Sequence, residues 1–425
     1  VPEPAVLTPA ARGAVRGELL ARADHAPDAL ALFAEVSAQL RRLLPYDAAV
    51  WRATDPATGL MTAPVRTENT DKRGCWDYWE CELFDERVNR FADLARAPVP
   101  VAALRASTGG EPERAAIYRQ FLRPRGLHDE LRAVLRVGGR PQGHVSLFRA
   151  RGRAPFSAAE ERVVAGLTTP LARRLRSYAE PAAAAAGAGA GAERAAGQAE
   201  GRAEDRAEDG ESVRDGGFPG SGDEPGLLLF DAAARPVSAN AAARRHLAAL
   251  PPGPARASAL GLAVPAWLHG VVLQARAATA AAAAAAGEAG EGPAGAAGAA
   301  APRIRLRTAA GRWLTCHATC LHGADGAPQS TAVVIESAAA AEIAPLLADA
   351  YELTAREQEI TRLLARGLAT EGIAAELYLS PHTVRDHIKA VFDKTGVSTR
   401  GALVGKLFLE QYEPAAAAGT VRTAR

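Results

Sequence analysis

Candidate chemistry in this 425-residue chain concentrates in one short run, where His382, Arg385, Asp386, Lys389 and Asp393 fall at i, i+3, i+4, i+7 and i+11. On a helix that spacing gathers all five on one face. Val384, Ile388, Val391 and Phe392 fall at i, i+4, i+7 and i+8 on the opposite face, as a stripe that must be covered by a core. A helix lying in the major groove of DNA needs this division, with long donors outward and apolar groups inward. The Arg385 guanidinium can fork onto guanine acceptors or a phosphate, and Lys389 follows one turn later. Asp386 repels phosphate and is accommodated by a base donor such as a cytosine amine. Ser380 and Thr383 stand at the helix start, where backbone N–H groups and the helix dipole favour an anion.

Thiols and imidazoles offer a second chemistry. Cys316-His317-Ala318-Thr319-Cys320-Leu321-His322 has the residue types of a metal cluster. On a strand, however, Cys316 and Cys320 share a face with Leu314 and Ala318 while His317 points away, and zinc ligands favour tight turns that converge. Buried structural cysteines are the expectation, and no metal or cofactor is expected. Cys75 and Cys81 flank Trp76, Tyr78 and Trp79, a set suited to an aromatic lid over a cavity or to plain packing. They leave open an alternative in which the N-terminal region is a thiol-dependent redox enzyme using Cys75 or Cys81. The chain has no phosphate-binding G-x-x-x-x-G-K-[ST] loop, no G-x-S-x-G, no H-E-x-x-H and no paired C-x-x-C, so no catalytic residues are assigned.

The elements that must position the groove-facing helix are legible around it. Thr354 and Glu357 form a capping box ahead of Ile360, Leu363 and Leu364, and Gly367 stops that helix. A short helix with Ile373, Ala374 and Leu377 follows, weakened by roughly 1 kcal/mol at Gly372 relative to alanine. After Tyr378-Leu379, Ser380 caps the third helix with Pro381 at its first position. A fourth helix is expected at about Arg400–Gln411, with Leu403, Val404, Leu407 and Phe408 as an apolar stripe wider than a small domain can bury, hence a self-association face. His387 lies on the packed side and is expected to be structural.

This segment resembles the LuxR-type (GerE-type) helix-turn-helix family. The matching residues run from Leu353, Thr354, Arg356, Glu357 and Glu359 through Gly367, Ile373, Ala374 and Leu377 to Ser380, Thr383, Val384, Arg385, His387, Lys394, Val397 and Arg400. The resemblance implies that the third helix reads double-stranded DNA and the fourth pairs two copies. By position it makes Arg385, Asp386 and Lys389 base readers and Ser380, Thr383 and Lys394 phosphate contacts; His382 and Arg400 complete the expected DNA-binding set. The implied partners are an inverted-repeat operator, a second copy of the chain, RNA polymerase and a small-molecule effector. Between Tyr351 and Tyr412 eight Lys/Arg face eight Asp/Glu, so one copy should bind weakly and two should act together.

The rest of the chain is expected to supply regulation. A length of 425 residues implies two or three domains, and a net charge of +2 confines any nucleic-acid affinity to a local patch. Four cysteines in so long a chain fit a reducing, cytoplasmic setting, and no apolar run approaches the roughly 20 residues of a membrane span. Ala, Arg, Gly and Pro usage fits a GC-rich bacterial genome. Residues 179–225, rich in Ala, Gly and alternating charge, are expected to be a disordered linker, and the alanine-rich stretch 275–301 an inserted loop.

Upstream of the linker, 24–178 has an α/β pattern: a helix from Leu30 to Leu44, strands at Ala48–Ala53, Leu131–Val137 and Gly143–Phe148, and a closing helix opened by the Ser157/Glu160 capping box. That order is similar to a GAF-type sensory domain. Downstream, 226–340 opens with two short strands and an Asn240-Ala-Ala helix start and closes with strands at Arg303–Arg307, Arg312–Leu321 and Thr331–Glu336, an α+β order that resembles a PAS domain. The expected fold is therefore multidomain: an α/β GAF-like domain, an α+β PAS-like domain and an all-α four-helix DNA-binding domain at 349–414. Ile343, Leu346 and Leu347 mark a short amphipathic joint between the last two.

Overall fold

A computed structural model describes residues 9–70, 74–179, 224–289, 301–324 and 326–409, the side chains of 9, 10, 12, 75, 285–289, 408 and 409 excepted. The expected linker at 179–225 thus lies almost wholly outside the described residues, as do 290–300 of the alanine-rich stretch.

In the first unit, helix α1 (Pro9–His25) packs on α2 (Ala29–Leu43), so the layer begins before the expected boundary at residue 24. Asp28 caps α2 by accepting from the Ala31 N–H at 2.8 Å, and Leu32, Phe33, Val36 and Leu40 form its buried stripe. Strands β1 (Ala48–Thr54) and β2 (Met61–Glu68) form a hairpin. Asp55 closes it as an Asx turn, accepting from Ala57 N at 2.8 Å. Helices α3 (Gly74–Phe84) and α4 (Phe91–Leu94), strand β3 (Val101–Ala103) and helix α5 (Leu104–Ser107) fill the variable middle. Then come β4 (Leu127–Val137), β5 (Arg140–Ala150) and α6 (Ala158–Ser177), with the Ser157/Glu160 capping box formed.

The sheet is antiparallel in the order β2-β1-β5-β4-β3. Both its faces are covered. Ala49, Trp51, Leu131, Ala133, Val145 and Leu147 share a core with α1, α2 and α6, while Ala48, Val50, Val134 and Phe148 belong to a core with α3.

The second unit holds β6 (Gly226–Phe230), β7 (Pro236–Ala239), α7 (Ala241–Ala248), the small hairpin β8 (Ala255–Ala257) and β9 (Ala263–Pro265), α8 (Ala266–Ala289), β10 (Arg303–Arg307), β11 (Trp313–His322) and β12 (Pro328–Ser337). Its sheet runs β10-β11-β12-β6-β7. Read from the opposite edge, this is the strand permutation of the first sheet, with the β8–β9 hairpin standing outside it. Gly226 lies so close to α7 that a Cβ there would sit 2.8 Å from Ala243 Cα, which explains glycine at that position.

Over 275–289 the expected loop is corrected by α8. The alanine run continues a helix already anchored by buried Trp267, Leu268, Val271 and Val272, and once nucleated by packing, alanine propagates helix readily. The two units share a core: α8 packs on α3 and β2, with the Trp76 and His269 rings 6.5 Å apart. Arg305 on β10 grips Asp55 of the first unit through Nη2 to Oδ1 at 2.5 Å and Nε to Oδ2 at 2.8 Å. Its Nη1 donates to Glu342 O at 3.0 Å, tying in the next helix as well.

That helix, α9 (Ala340–Ala350), leads into α10 (Ala355–Ala365), α11 (Thr370–Leu377), α12 (Pro381–Thr395) and α13 (Arg400–Val404), which continues as a wider π turn at Gly405–Leu409. Ile343, Leu346 and Leu347 of the joint are buried in one core with Ile360, Ile373, Val384, Val391, Leu403 and Leu407. The joint is thus a part of the C-terminal bundle. Arg140–Asp349 and Arg176–Glu352 ion pairs dock this end against the first unit.

Candidate nucleic-acid interface

Three local devices hold α12 in place. The α10 capping box is complete: Glu357 N donates to Thr354 Oγ1 at 3.3 Å and Thr354 N to Glu357 Oε2 at 2.7 Å. Tyr378 ends α11 in the left-handed region at φ 54°, sending the chain sharply into α12. Ser380 then caps α12, its hydroxyl accepting from Thr383 N at 3.1 Å and touching Thr383 Oγ1 at 2.9 Å.

The faces of α12 fall as their spacing requires. Val384 and Val391 are buried, Ile388, Phe392 and His387 are half-buried, and His382, Arg385, Asp386, Lys389 and Asp393 are exposed. His382 Nδ1 lies 3.0 Å from Asp386 Oδ2, an exposed pair that contributes little to stability but ties the carboxylate to its own helix. Arg385 has only a 3.3 Å contact from Nε to Pro381 O, and Lys389 has no partner among the described residues. These two long cations are therefore free to meet an anion or a base edge.

Two other expected contacts are engaged inside the bundle. Lys394 Nζ donates to Glu357 Oε2 at 2.6 Å and to Glu352 O at 3.1 Å. Burial pushes the Glu357 carboxyl up, but the hydrogen bonds from Lys394 and Thr354 outweigh it and hold the pKa below its usual value. Arg400 donates through Nη1 to Leu368 O at 3.1 Å and through Nη2 to Leu364 O, satisfying carbonyls at the end of α10. The free-standing structure thus presents Arg385 and Lys389 outward while Lys394 and Arg400 brace the helices that carry them.

Tyr378 is a further exposed group beside α12, outside the expected set. It is 96% exposed, at the turn directly ahead of α12, with its phenol open as a donor.

The fourth-helix stripe is not open as expected. Leu403 and Leu407 are buried, Val404 is half-buried, and the side chain of Phe408 lies outside the described residues. The cause is α9, which packs against the Gly405–Leu409 turn and covers part of the stripe within the same chain.

Upstream, Cys81 is buried, and burial followed by the charges of Glu86 and Asp85 pushes its thiol up to about 12, so it stays protonated and a poor nucleophile near neutrality. The Cys75 side chain lies outside the described residues. Trp76, Tyr78 and Trp79 are core residues, not a lid. Around them sits a polar cluster that sequence did not disclose. Arg132 pairs with Glu82 at 2.7 Å and Glu130 at 3.1 Å, Tyr78 donates to Glu130 at 2.6 Å, and the Arg52 guanidinium packs on the Tyr78, Trp79 and Phe91 rings. Cys316 lies with Leu314 and Ala318 in the second core. Among the described residues there is no group of three or more His, Cys, Asp or Glu placed to hold a metal ion, and no helix long and apolar enough to cross a membrane.

A capped α10, a two-turn α11 ending in a sharp left-handed turn and an α12 with outward cations define a helix-turn-helix module of the nucleic-acid-binding type. Residues 351–406 match the family described as "Bacterial regulatory proteins, luxR family". Among curated proteins, the chain is 42% identical over 67 residues to a "Probable transcriptional regulatory protein NarL" of Mycobacterium tuberculosis, covering 16% of this chain and 28% of that protein. It is 45% identical over 56 residues to the "Transcriptional regulatory protein UhpA" of Escherichia coli, covering 13% of this chain and 29% of that one. The chain thus spans less than a third of the length of these relatives. A solved phage VqmA–DPO complex aligns over 48% of this chain and 86% of its own at 16% identity, with a TM-score of 0.21. The C-terminal bundle is a LuxR-type helix-turn-helix domain.

Proposed function

We propose that the chain is a sequence-specific transcription regulator that binds double-stranded DNA through α12 as a homodimer and adjusts that binding through its two upstream units. The observation that carries this is the pair of uncommitted cations, Arg385 and Lys389, on the exposed face of a helix whose other face is locked in the bundle. Ser380, Thr383 and the α12 N-terminus supply phosphate contacts, His382 and Asp386 flank the readers, and Tyr378 joins them from the turn. Lys394 and Arg400 act mainly by bracing, reaching phosphate only if they leave their present partners.

The upstream units fit the part of GAF-like and PAS-like sensors: each has a five-stranded antiparallel sheet in the same permuted order, covered by helices. Dimerisation through Leu403, Val404, Leu407 and Phe408 requires α9 to yield part of its contact with the fourth helix. The operator is then an inverted repeat, the effector a small molecule, RNA polymerase the downstream partner and the cytoplasm the setting. Selection of bound sequences from a random duplex library by the full chain tests this. Recovery of one inverted repeat supports the proposal, and recovery of sequences no different from the input library defeats it.

A further inference from the structure

Where the first unit, the second unit and α9 meet, they line a half-open cavity of about 650 Å³, in the size range of sites for drug-sized ligands. Leu30 and Tyr178 of the first unit, Pro251 and Trp313 of the second and Leu346 of α9 give it a largely apolar wall. One cation on that wall lacks the counter-charge that burial normally demands. Arg307 is half-buried and has no carboxylate partner among the described residues; it donates to Tyr178 O, makes a 3.4 Å contact to Gly311 O and lies 5.9 Å from the Trp313 ring. Burial lowers its pKa with no acid to offset the effect. Arg305, by contrast, is fully matched by Asp55 and adds no free charge. A half-buried guanidinium with no carboxylate partner, beside a largely apolar space, calls for an acceptor-bearing occupant, because a cation drawn out of water without a counter-charge is costly.

We propose that this cavity binds a small organic anion with an apolar, planar or compact body, its carboxylate or equivalent acid group on Arg307 and its body against Trp313 and Leu346. Because Leu346 and Asp349 place α9 in the wall, an occupant also favours the docked position of that helix over any other. The site stands independently of the DNA-binding proposal, since binding is read on the full chain without DNA.

The probes are 2-naphthoate and its neutral isostere 2-naphthylmethanol, titrated into the full-length protein by calorimetry, with amide hydrogen exchange read over 340–350. The naphthoate should bind at least roughly tenfold more tightly than the alcohol, as a charge-assisted contact predicts, and should slow exchange in α9. Arg307→Met should abolish the preference, while Arg307→Lys, which keeps the charge, should retain most of it; this second variant guards against a folding defect in the first. Equal affinity for acid and alcohol, an undiminished preference in Arg307→Met, or unaltered exchange in α9 overturns the proposal. Failure of the intact chain to bind either probe overturns it as well, since the cavity would then be closed to external ligands.

Discussion

Replacing Arg305 by methionine should be among the more damaging single changes in the upstream half. Asp55 is 1% exposed at its side chain, and Arg305 supplies two of its closest contacts, at 2.5 and 2.8 Å. Removing one partner of a buried ion pair typically costs about 3–5 kcal/mol. Asp55 would keep the backbone N–H groups of Ala57 at 2.8 Å, Thr58 at 3.3 Å and residue 305 at 2.9 Å, which lowers the penalty toward the bottom of that range, about 3 kcal/mol. Asp55→Asn should cost a similar amount by stranding the guanidinium, and the double variant should be less damaged than the sum of the singles, by about 1–3 kcal/mol. Because Arg305 also holds Glu342 O, exchange over the first turn of α9 should quicken in Arg305→Met but less in Asp55→Asn. Urea titration followed by tryptophan fluorescence, together with hydrogen exchange, reads both effects. A loss under about 0.5 kcal/mol, the level of an exposed pair, or strict additivity in the double variant, would refute the clamp.

Further outcomes follow from other parts of the structure. Gly226→Ala should cost about 1–3 kcal/mol in the thermal unfolding of the second unit, because the new Cβ meets Ala243 backbone at 2.8 Å; an unchanged transition would mean β6 and α7 separate freely. His269 is held neutral, its pKa lowered to about 4 by burial and then by Arg256. A folded pKa below the usual 6.5 gives stability that is complete above pH 6.5 and lost as pH falls toward 4. His269→Gln should therefore flatten the pH dependence of stability in that window, and an equal slope in variant and wild type would count against it. Leu347→Ala should cost about 2–4 kcal/mol locally and raise self-association in sedimentation, since Leu347 is fully buried in the core that α9 shares with Leu403 and Leu407; a looser but strictly monomeric chain would separate α9 from the dimer face.

Features set by neighbouring residues are legible in the sequence, and features set by distant packing are not. Both the Thr354/Glu357 and Ser157/Glu160 boxes formed, because a cap depends on four consecutive residues and little else. The faces of α12 and the strands β4, β5 and β10–β12 were set by spacing in the same way. The alanine run in α8 reads as a loop on composition alone, which says nothing about the Trp267–Val272 stripe that anchors the helix. Family position makes Lys394 a phosphate contact, while its hydrogen bond to Glu357, 37 positions away, is visible only once α10 and α12 pack. Arg305 and Asp55 are 250 positions apart, and nothing in either neighbourhood marks the other. The covering of Leu403 and Leu407 by α9 is of the same kind: a wide apolar stripe predicts that something covers it, not which copy of which helix.

The central claim is that α12 reads DNA with its free cations. Its most direct test is binding of the full chain to its selected duplex, by fluorescence anisotropy, for wild type and Arg385→Ala across all single-base changes of one half-site. A lost bidentate contact is worth about 1–3 kcal/mol, so Arg385→Ala should bind roughly tenfold to a hundredfold more weakly and lose discrimination at one base position. Wild-type affinity in Arg385→Ala, or a uniform loss with every base preference intact, would contradict the account.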